Sequence, residues 1–333
     1  MSSEARRLNI DLAGMHPQDM LPLAQEAEEA GFYSISVGDN VDDSYVALAG
    51  IASVTQRVKL VSNIATWTRT PVATARACRS LASLSGGRYI FGLGSMPRAW
   101  NEDFHGIPGE APLSRMREYV ELLRLLWAAT PDAPVEYEGR FYRVSGYRVH
   151  QPPPYARLPI YIGASRGRML RETGEWADGV LFNWNYTLPW IKDAAMPALS
   201  EGATRVGRSL DDLELVVGRW VFIVNTPEQA ETARAAFRNG VALVYLNVDY
   251  HQELLITHGF GEEVAAARAA LARGDFEGAV GSISDRMVDT FAIIGTADEC
   301  LERAAEYTSM ANCFTVSTLG GEMSRPEAVN AVR

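Results

Sequence analysis

Cysteine is scarce in this chain. Cys78, Cys300 and Cys313 stand far apart along 333 residues. None of them has the spacing of a zinc site, so no metal centre is expected, and reduced thiols in a cytosolic protein are the default reading. No window approaches an 18-residue apolar run, which leaves no helix to span a bilayer. Met1 to Arg7 is polar and charged and lacks the apolar core of a signal peptide. Positive charge is in deficit too: 31 Lys and Arg face 41 Asp and Glu, for a net charge of −10. That balance argues against a surface for nucleic acid or an anionic membrane. The dinucleotide fingerprint G-x-G-x-x-G is also missing. In Gly92-Leu93-Gly94-Ser95-Met96-Pro97, proline stands where the third glycine belongs.

What is present is an ordinary globular composition, 47% hydrophobic and 22% charged, arranged in a repeating rhythm. Leu8 to Ala13 reads as a short strand interrupted by Asn9 and Asp11, and Pro17 opens a helix closed by Gly31. Phe32 to Val37 is a second strand, ending in Gly38-Asp39-Asn40. A helix from about Tyr45 to Gln56 leads to a third strand, Lys59 to Ala65, and Pro71 starts the helix to Ser85. Gly86 and Gly87 end that helix, and Arg88 to Leu93 reads as a strand buried on both faces. An amphipathic helix from Ser114 to Ala128 and a hairpin from Val135 to Val149 follow. Further strands are expected at Pro159 to Gly163, Gly179 to Phe182, Leu213 to Val224 and Asn312 to Leu319. Between the last two, Val241 to Val248 looks like a strand and Glu262 to Arg273 like a helix. Ala292 to Ile294 looks like a strand before a capped helix. One of these lies outside the main sheet. The alternation gives an α/β chain with a parallel sheet. Eight repeats in somewhat more than the usual ~250 residues fit one (β/α)8 TIM barrel over 1–333, with insertions near 130–155 and 241–290. A doubly wound sheet is the alternative, but no Gly-rich turn follows the first strand.

In a barrel the carboxyl ends of the strands share one rim, where chemistry is kept. Gly92 and Gly94 remove side chains at such an end, and a loop bearing Trp100, Asn101, Glu102 and Asp103 follows. Glu102 is the candidate acid or base, on the expectation that burial against an aromatic ring raises its pKa. His16, at the first strand's rim, is the alternative proton carrier. Trp67, Trp100, Trp184 and Trp220 fall near separate strand ends and suggest a ring-stacking pocket for cofactor and substrate. Gly163-Ala164-Ser165-Arg166-Gly167 opens a helix with free N–H groups, a hydroxyl and a guanidinium, a set suited to a phosphate.

With those ends in place, the chain resembles the bacterial luciferase-like flavoprotein superfamily, and within it the branch using the deazaflavin coenzyme F420. The resembling pieces are Ala24-Gln25-Glu26-Ala27-Glu28-Glu29-Ala30-Gly31-Phe32, Thr68-Arg69-Thr70-Pro71-Val72-Ala73-Thr74-Ala75, Leu84-Ser85-Gly86-Gly87-Arg88, Gly92-Leu93-Gly94 and Trp100-Asn101-Glu102. Ile162-Gly163-Ala164-Ser165 and Ala177-Asp178-Gly179-Val180 extend it. The resemblance implies a barrel with a flavin or deazaflavin ring across the carboxyl rim and a non-proline cis peptide at Asn63–Ile64. Ser62 and Thr66 flank that bond and would meet the cofactor's polar edge. Asp39 carries over as a cofactor contact, while Asn40 stands where many relatives have a catalytic histidine and cannot take its proton. Asn101-Glu102 matches a pair beside the cofactor, and the phosphate falls at Gly163 to Arg166. The implied activity is hydride transfer between F420 and a small organic substrate. The alternatives are an FMN-dependent monooxygenase supplied by a partner reductase, and a cofactor-free accessory or binding barrel. Arg69, Arg98 and Arg166 would favour the acidic tail of F420. A homodimer is expected.

Overall fold

The computed structural model describes residues 7–39, 42–150, 155, 157–182 and 184–317. Its strands are β1 Arg7–Asp11, β2 Ser34–Val37, β3 Lys59–Ser62, β4 Ala65–Thr66, β5 Tyr89–Gly94, β6 Val135–Glu138, β7 Arg143–Tyr147, β8 Ile160–Gly163, β9 Gly179–Phe182, β10 Glu214–Ile223, β11 Ala292–Gly295 and β12 Cys313–Ser317. Parallel pairing runs β1-β2-β3-β5-β8-β9-β10-β12 and returns to β1, which closes an eight-stranded (β/α)8 barrel. β4 continues β3 beyond a break and pairs with the end of β5, Ala65 opposite Leu93 and Thr66 opposite Gly94.

Helices cover the outside because the strands are apolar on that face. Ile10, Ile35, Leu60, Phe91, Ile160, Ile162 and Val180 are fully buried there against helical side chains. Local signals set the helix starts. Pro17, Pro71 and Pro227 occupy first-turn positions, and Thr70 and Thr226 cap with their hydroxyls. The hairpin β6–β7 is antiparallel, as its alternation predicts. Glu118 pins it to the helix Pro112–Ala128 by accepting from the Phe141 and Tyr142 N–H groups.

β10 is ten residues long, and its length explains the surplus of elements after it. Residues 214–217 pair with β9, 216–220 with β12 and 220–223 with β11. Trp220 faces partners in both β11 and β12, so β11 lies on the β9 side and extends the sheet above the barrel's closure. Between β10 and β11 the chain makes an excursion of helices with an apolar cluster of its own, around Phe237, Val241, Tyr245, Phe260, Val288 and Phe291. The strand expected at Val241 to Val248 is not there. The helix Pro227–Leu243 runs through its start and a 3-10 turn, Tyr245–Asn247, follows. Phe237, Val241 and Tyr245 recur every fourth residue, so the apolar run is the buried stripe of a helix rather than the side of a strand.

Candidate active site

The barrel interior is divided. Val61, Ile90, Tyr161, Leu181 and Val216 form an apolar half, while Asn9, Ser34, Ser36 and Thr315 line the other. The space left between them is about 20 Å³, roughly the room for one water. The polar half is a chain of hydrogen bonds that climbs towards the carboxyl rim. Ser34 donates to Asn9 Oδ1 at 2.7 Å, Asn9 Nδ2 donates to Ser36 Oγ at 2.9 Å, and Ser36 donates to Asp11 Oδ1 at 3.1 Å. Asn9 also reaches Thr315 Oγ1 at 3.3 Å. Asp11 Oδ1 takes a second bond from the Ala13 N–H at 3.3 Å; Oδ2 has no partner among the described residues. Burial pushes the Asp11 carboxyl up to about 7, against the lowering effect of those two bonds. A carboxyl that titrates near neutrality at a strand's rim is suited to giving and taking a proton.

Next to this column, Asn63–Ile64 is a cis peptide, at the bond the resemblance singles out. The Ile64 carbonyl accepts from the Asp39 N–H at 3.1 Å, and the Ile64 side chain lies across two strand ends. A Cβ at Gly94 would fall 1.8 Å from Ile64 Cδ1, and one at Gly163 would touch Ile64 Cγ2 at 3.4 Å. Gly92 is more rigidly confined: a Cβ there would meet the Ser62 backbone carbonyl at 1.9 Å. Ile64 is thus a half-exposed apolar ledge on the rim, with glycines beneath it.

Several sequence candidates are engaged in building the rim. Ser62 is fully buried, bonded to Gly92 N and O and to the Tyr89 hydroxyl, so it ties β3 to β5. Thr66 shares a 2.7 Å hydrogen bond with Thr68. Asp39 Oδ1 accepts from the Ser44 N–H at the start of the helix Ser44–Val54. Asn101 is buried and accepts from Trp67 Nε1 at 3.1 Å, while its amide donates to the Ser95 carbonyl. Asn40 lies outside the described residues.

Glu102 requires a correction. Residues 98–105 form a helix rather than a loop, and Glu102 is an exposed carboxylate on it, paired with Arg98 one turn before. Hydrogen bonds from Arg98 and from the Gly109 N–H hold its pKa below the usual carboxylate range, opposite to the raised value expected. The one-turn spacing of Arg98 and Glu102 favours this pair as soon as the segment is helical. His16 is exposed at the N-cap of the helix Pro17–Glu29 and makes no capping bond.

The tryptophans do not line one pocket. Trp67 is buried in the main core, and Trp220 belongs to the excursion's cluster, edge-on to Phe237 and Tyr245. Trp184 lies against Gly218, whose missing Cβ would fall 1.8 Å from its ring. Trp100 stacks on exposed Phe104 at 5.9 Å.

At the end of β8, buried Ala164 and half-buried Ser165 lead to Arg166, the N-cap of the helix Gly167–Trp176. The Ser165 hydroxyl faces the Tyr186 hydroxyl. The nearest atom to a Cβ on Gly167 is 3.8 Å away, so the first turn is open to a ligand. Free N–H groups, a hydroxyl and a guanidinium there fit a phosphate, and the Ile64 ledge fits the face of a flat ring. All three arginines proposed for an anionic tail have carboxylate partners: Arg69 with Asp43, Arg98 with Glu102 and Arg166 with Glu253.

Asp11, the group of greatest chemical interest, is absent from the sequence-based site. Its signal was the alternation Asn9-x-Asp11, two polar residues on the inward face of an otherwise apolar strand.

Comparison with known proteins agrees with the barrel fold. The 5,10-methylenetetrahydromethanopterin reductase of Archaeoglobus fulgidus is 31% identical over 288 residues, covering 84% of this chain and 83% of that protein. The F420-dependent glucose-6-phosphate dehydrogenase of Nocardia farcinica is 31% identical over 231 residues, covering 64% and 67%. Among solved structures, the coenzyme F420 dependent tetrahydromethanopterin reductase from Methanopyrus kandleri superposes with a TM-score of 0.83 at 28% identity, covering 98% and 97%. The model of the luciferase-like monooxygenase family matches residues 2–311, and the chain belongs to that family.

Proposed function

We propose that this protein is an oxidoreductase that holds coenzyme F420 on the carboxyl rim of the barrel and serves hydride transfer to or from a small organic substrate. When bound, the deazaflavin ring supplies the hydride chemistry. The protein's residues bind, orient and manage one proton. Ile64, raised on Gly94 and Gly163, offers an apolar surface to a ring face. Ser165, Arg166 and the first turn of the helix Gly167–Trp176 are the candidates for the phosphate.

The observation that carries the reading is Asp11. Its Oδ1 is occupied by Ser36 and Ala13, which leaves Oδ2 to carry the proton. Burial keeps that proton on until about pH 7, so near neutrality the group exists in both forms. The chain from Ser34 through Asn9 to Ser36 donates towards Asp11 throughout and fixes the rotamer of its carboxyl group. Relatives at 28–31% identity whose names include F420 support this cofactor over FMN.

The test is equilibrium binding of F420 and of FMN, each followed by ring fluorescence. F420 is expected to bind more tightly. Tighter binding of FMN would turn the reading to a flavin monooxygenase, and binding of neither would leave an accessory barrel.

A further inference from the structure

The excursion after β10 also roofs the barrel mouth. Its helix Asp249–Thr257 meets the segments that follow β8 and β9. Glu253 pairs with Arg166 beyond β8, and His258, just past the helix, accepts from the Thr187 N–H beyond β9 at 3.4 Å. Tyr245, before the helix, is buried close enough to Asp11 to sense its charge. The helix therefore bridges the rim beyond β8 and β9, and the chain that leads into it at Tyr245 feels the charge of Asp11 at the end of β1.

Leu254 and Leu255 bury the inner side of this helix, but two independent features make its hold on the rim weak. The Arg166–Glu253 pair is exposed, with 65% and 59% of the side chains open to solvent, and pairs so exposed contribute little. His251 is the second. The residue is only 8% exposed, its ring is tilted against Tyr245 at 4.4 Å and Tyr250 at 4.0 Å, and neither nitrogen has a hydrogen-bond partner among the described residues. An imidazole buried without a partner is costly, and the cost vanishes if the helix lifts into water.

We infer that Glu253 is an internal substitute for an anionic ligand: it occupies Arg166 in the ligand-free protein, and a phosphate arriving at that arginine displaces it and loosens the rim-facing side of the helix. The phosphate-bearing cofactor then binds first and opens the side of the mouth above Asp11 to the substrate. This rests on the reading that Arg166 takes the cofactor's phosphate. Both anions compete for one guanidinium, so whatever removes Glu253 strengthens phosphate binding by the free energy of the lost pair.

The experiment measures dissociation constants of F420 and FMN, together with their phosphate-free forms deazariboflavin and riboflavin. The proteins are wild type, Glu253→Gln, Arg166→Ala and, as a charge control, exposed Glu262→Gln. Glu253→Gln should tighten the phosphate-bearing ligands about two- to fivefold, the range an exposed pair allows. The phosphate-free forms should not respond, nor should any ligand respond to Glu262→Gln. Hydrogen exchange in the helix Asp249–Thr257 should quicken on F420 or FMN binding, and should already be quick in ligand-free Glu253→Gln. Unchanged affinity in Glu253→Gln, with Arg166→Ala still weakened, overturns the latch and leaves the phosphate site standing. Unchanged affinity in Arg166→Ala overturns both. Slower exchange on cofactor binding would show that the roof closes rather than opens, against the inference.

Discussion

Replacing Asp11 by Asn tests the proton-carrying group even before a substrate is identified. The amide keeps the size of the carboxyl and an oxygen for Ser36 and Ala13 to bond, but it does not titrate. In wild type the folded-state value is raised to about 7 from an ordinary 3.8, so between those limits the native state holds a proton that the unfolded chain has lost. Stability from this group is therefore full at low pH and falls as pH rises towards 7. Between pH 5 and pH 8 the loss from this one residue is about 2–3 kcal/mol, at ~1.4 kcal/mol per pKa unit. Asp11→Asn lacks that slope, so it should gain about 2–3 kcal/mol on wild type over the same interval. Urea unfolding of both proteins at pH 5, 6, 7 and 8 reads the difference directly. A stability difference that stays constant across the four pH values would refute the raised pKa, and with it the case for Asp11 as the acid. With a substrate in hand, the same variant should lose about 10²–10⁴-fold in turnover while keeping its affinity for cofactor.

Other expectations follow from the rim. Glu102→Gln should change stability and cofactor affinity by less than about 0.5 kcal/mol, because the carboxylate is exposed and ion-paired on a surface helix; a tenfold loss of affinity would restore it to the site. Gly92→Ala should destabilise more than Gly94→Ala, since the first drives a methyl into the Ser62 carbonyl and the second into the end of the Ile64 side chain. Of the two, Gly94→Ala should cost more in cofactor affinity relative to its effect on melting, because it tilts the ledge; equal ratios in thermal melts and binding titrations would contradict this. Asn101→Leu should cost about 1–3 kcal/mol in urea unfolding by stranding the Trp67 N–H and the Ser95 carbonyl. A neutral result would mean water replaces the lost amide.

The repeating strands and helices were legible because each is a local matter. Apolar runs of four to six residues, prolines at helix starts and hydroxyl caps act over a few neighbours, and they placed the eight barrel strands within about three residues of where they fold. The close approach at Gly92 and Gly94 was legible for the same reason, since a missing side chain marks such a place even when its neighbour is unknown. The excursion was misread at Val241 because a short apolar run fits a strand or a helix equally until its burying partner, here the Phe237–Phe291 cluster, is in place. Charge partners distant along the chain were beyond the sequence. Nothing local says that Arg166 meets Glu253, 87 residues on, because that pairing depends on how the excursion folds back over the rim. Asp11 shows the division most clearly. Its identity and inward phase are written in β1, but its raised pKa comes from burial, which outweighs the lowering hydrogen bond from Ser36, 25 residues away in β2. Desolvation is a property of everything that surrounds a group, and only the closed barrel surrounds this one.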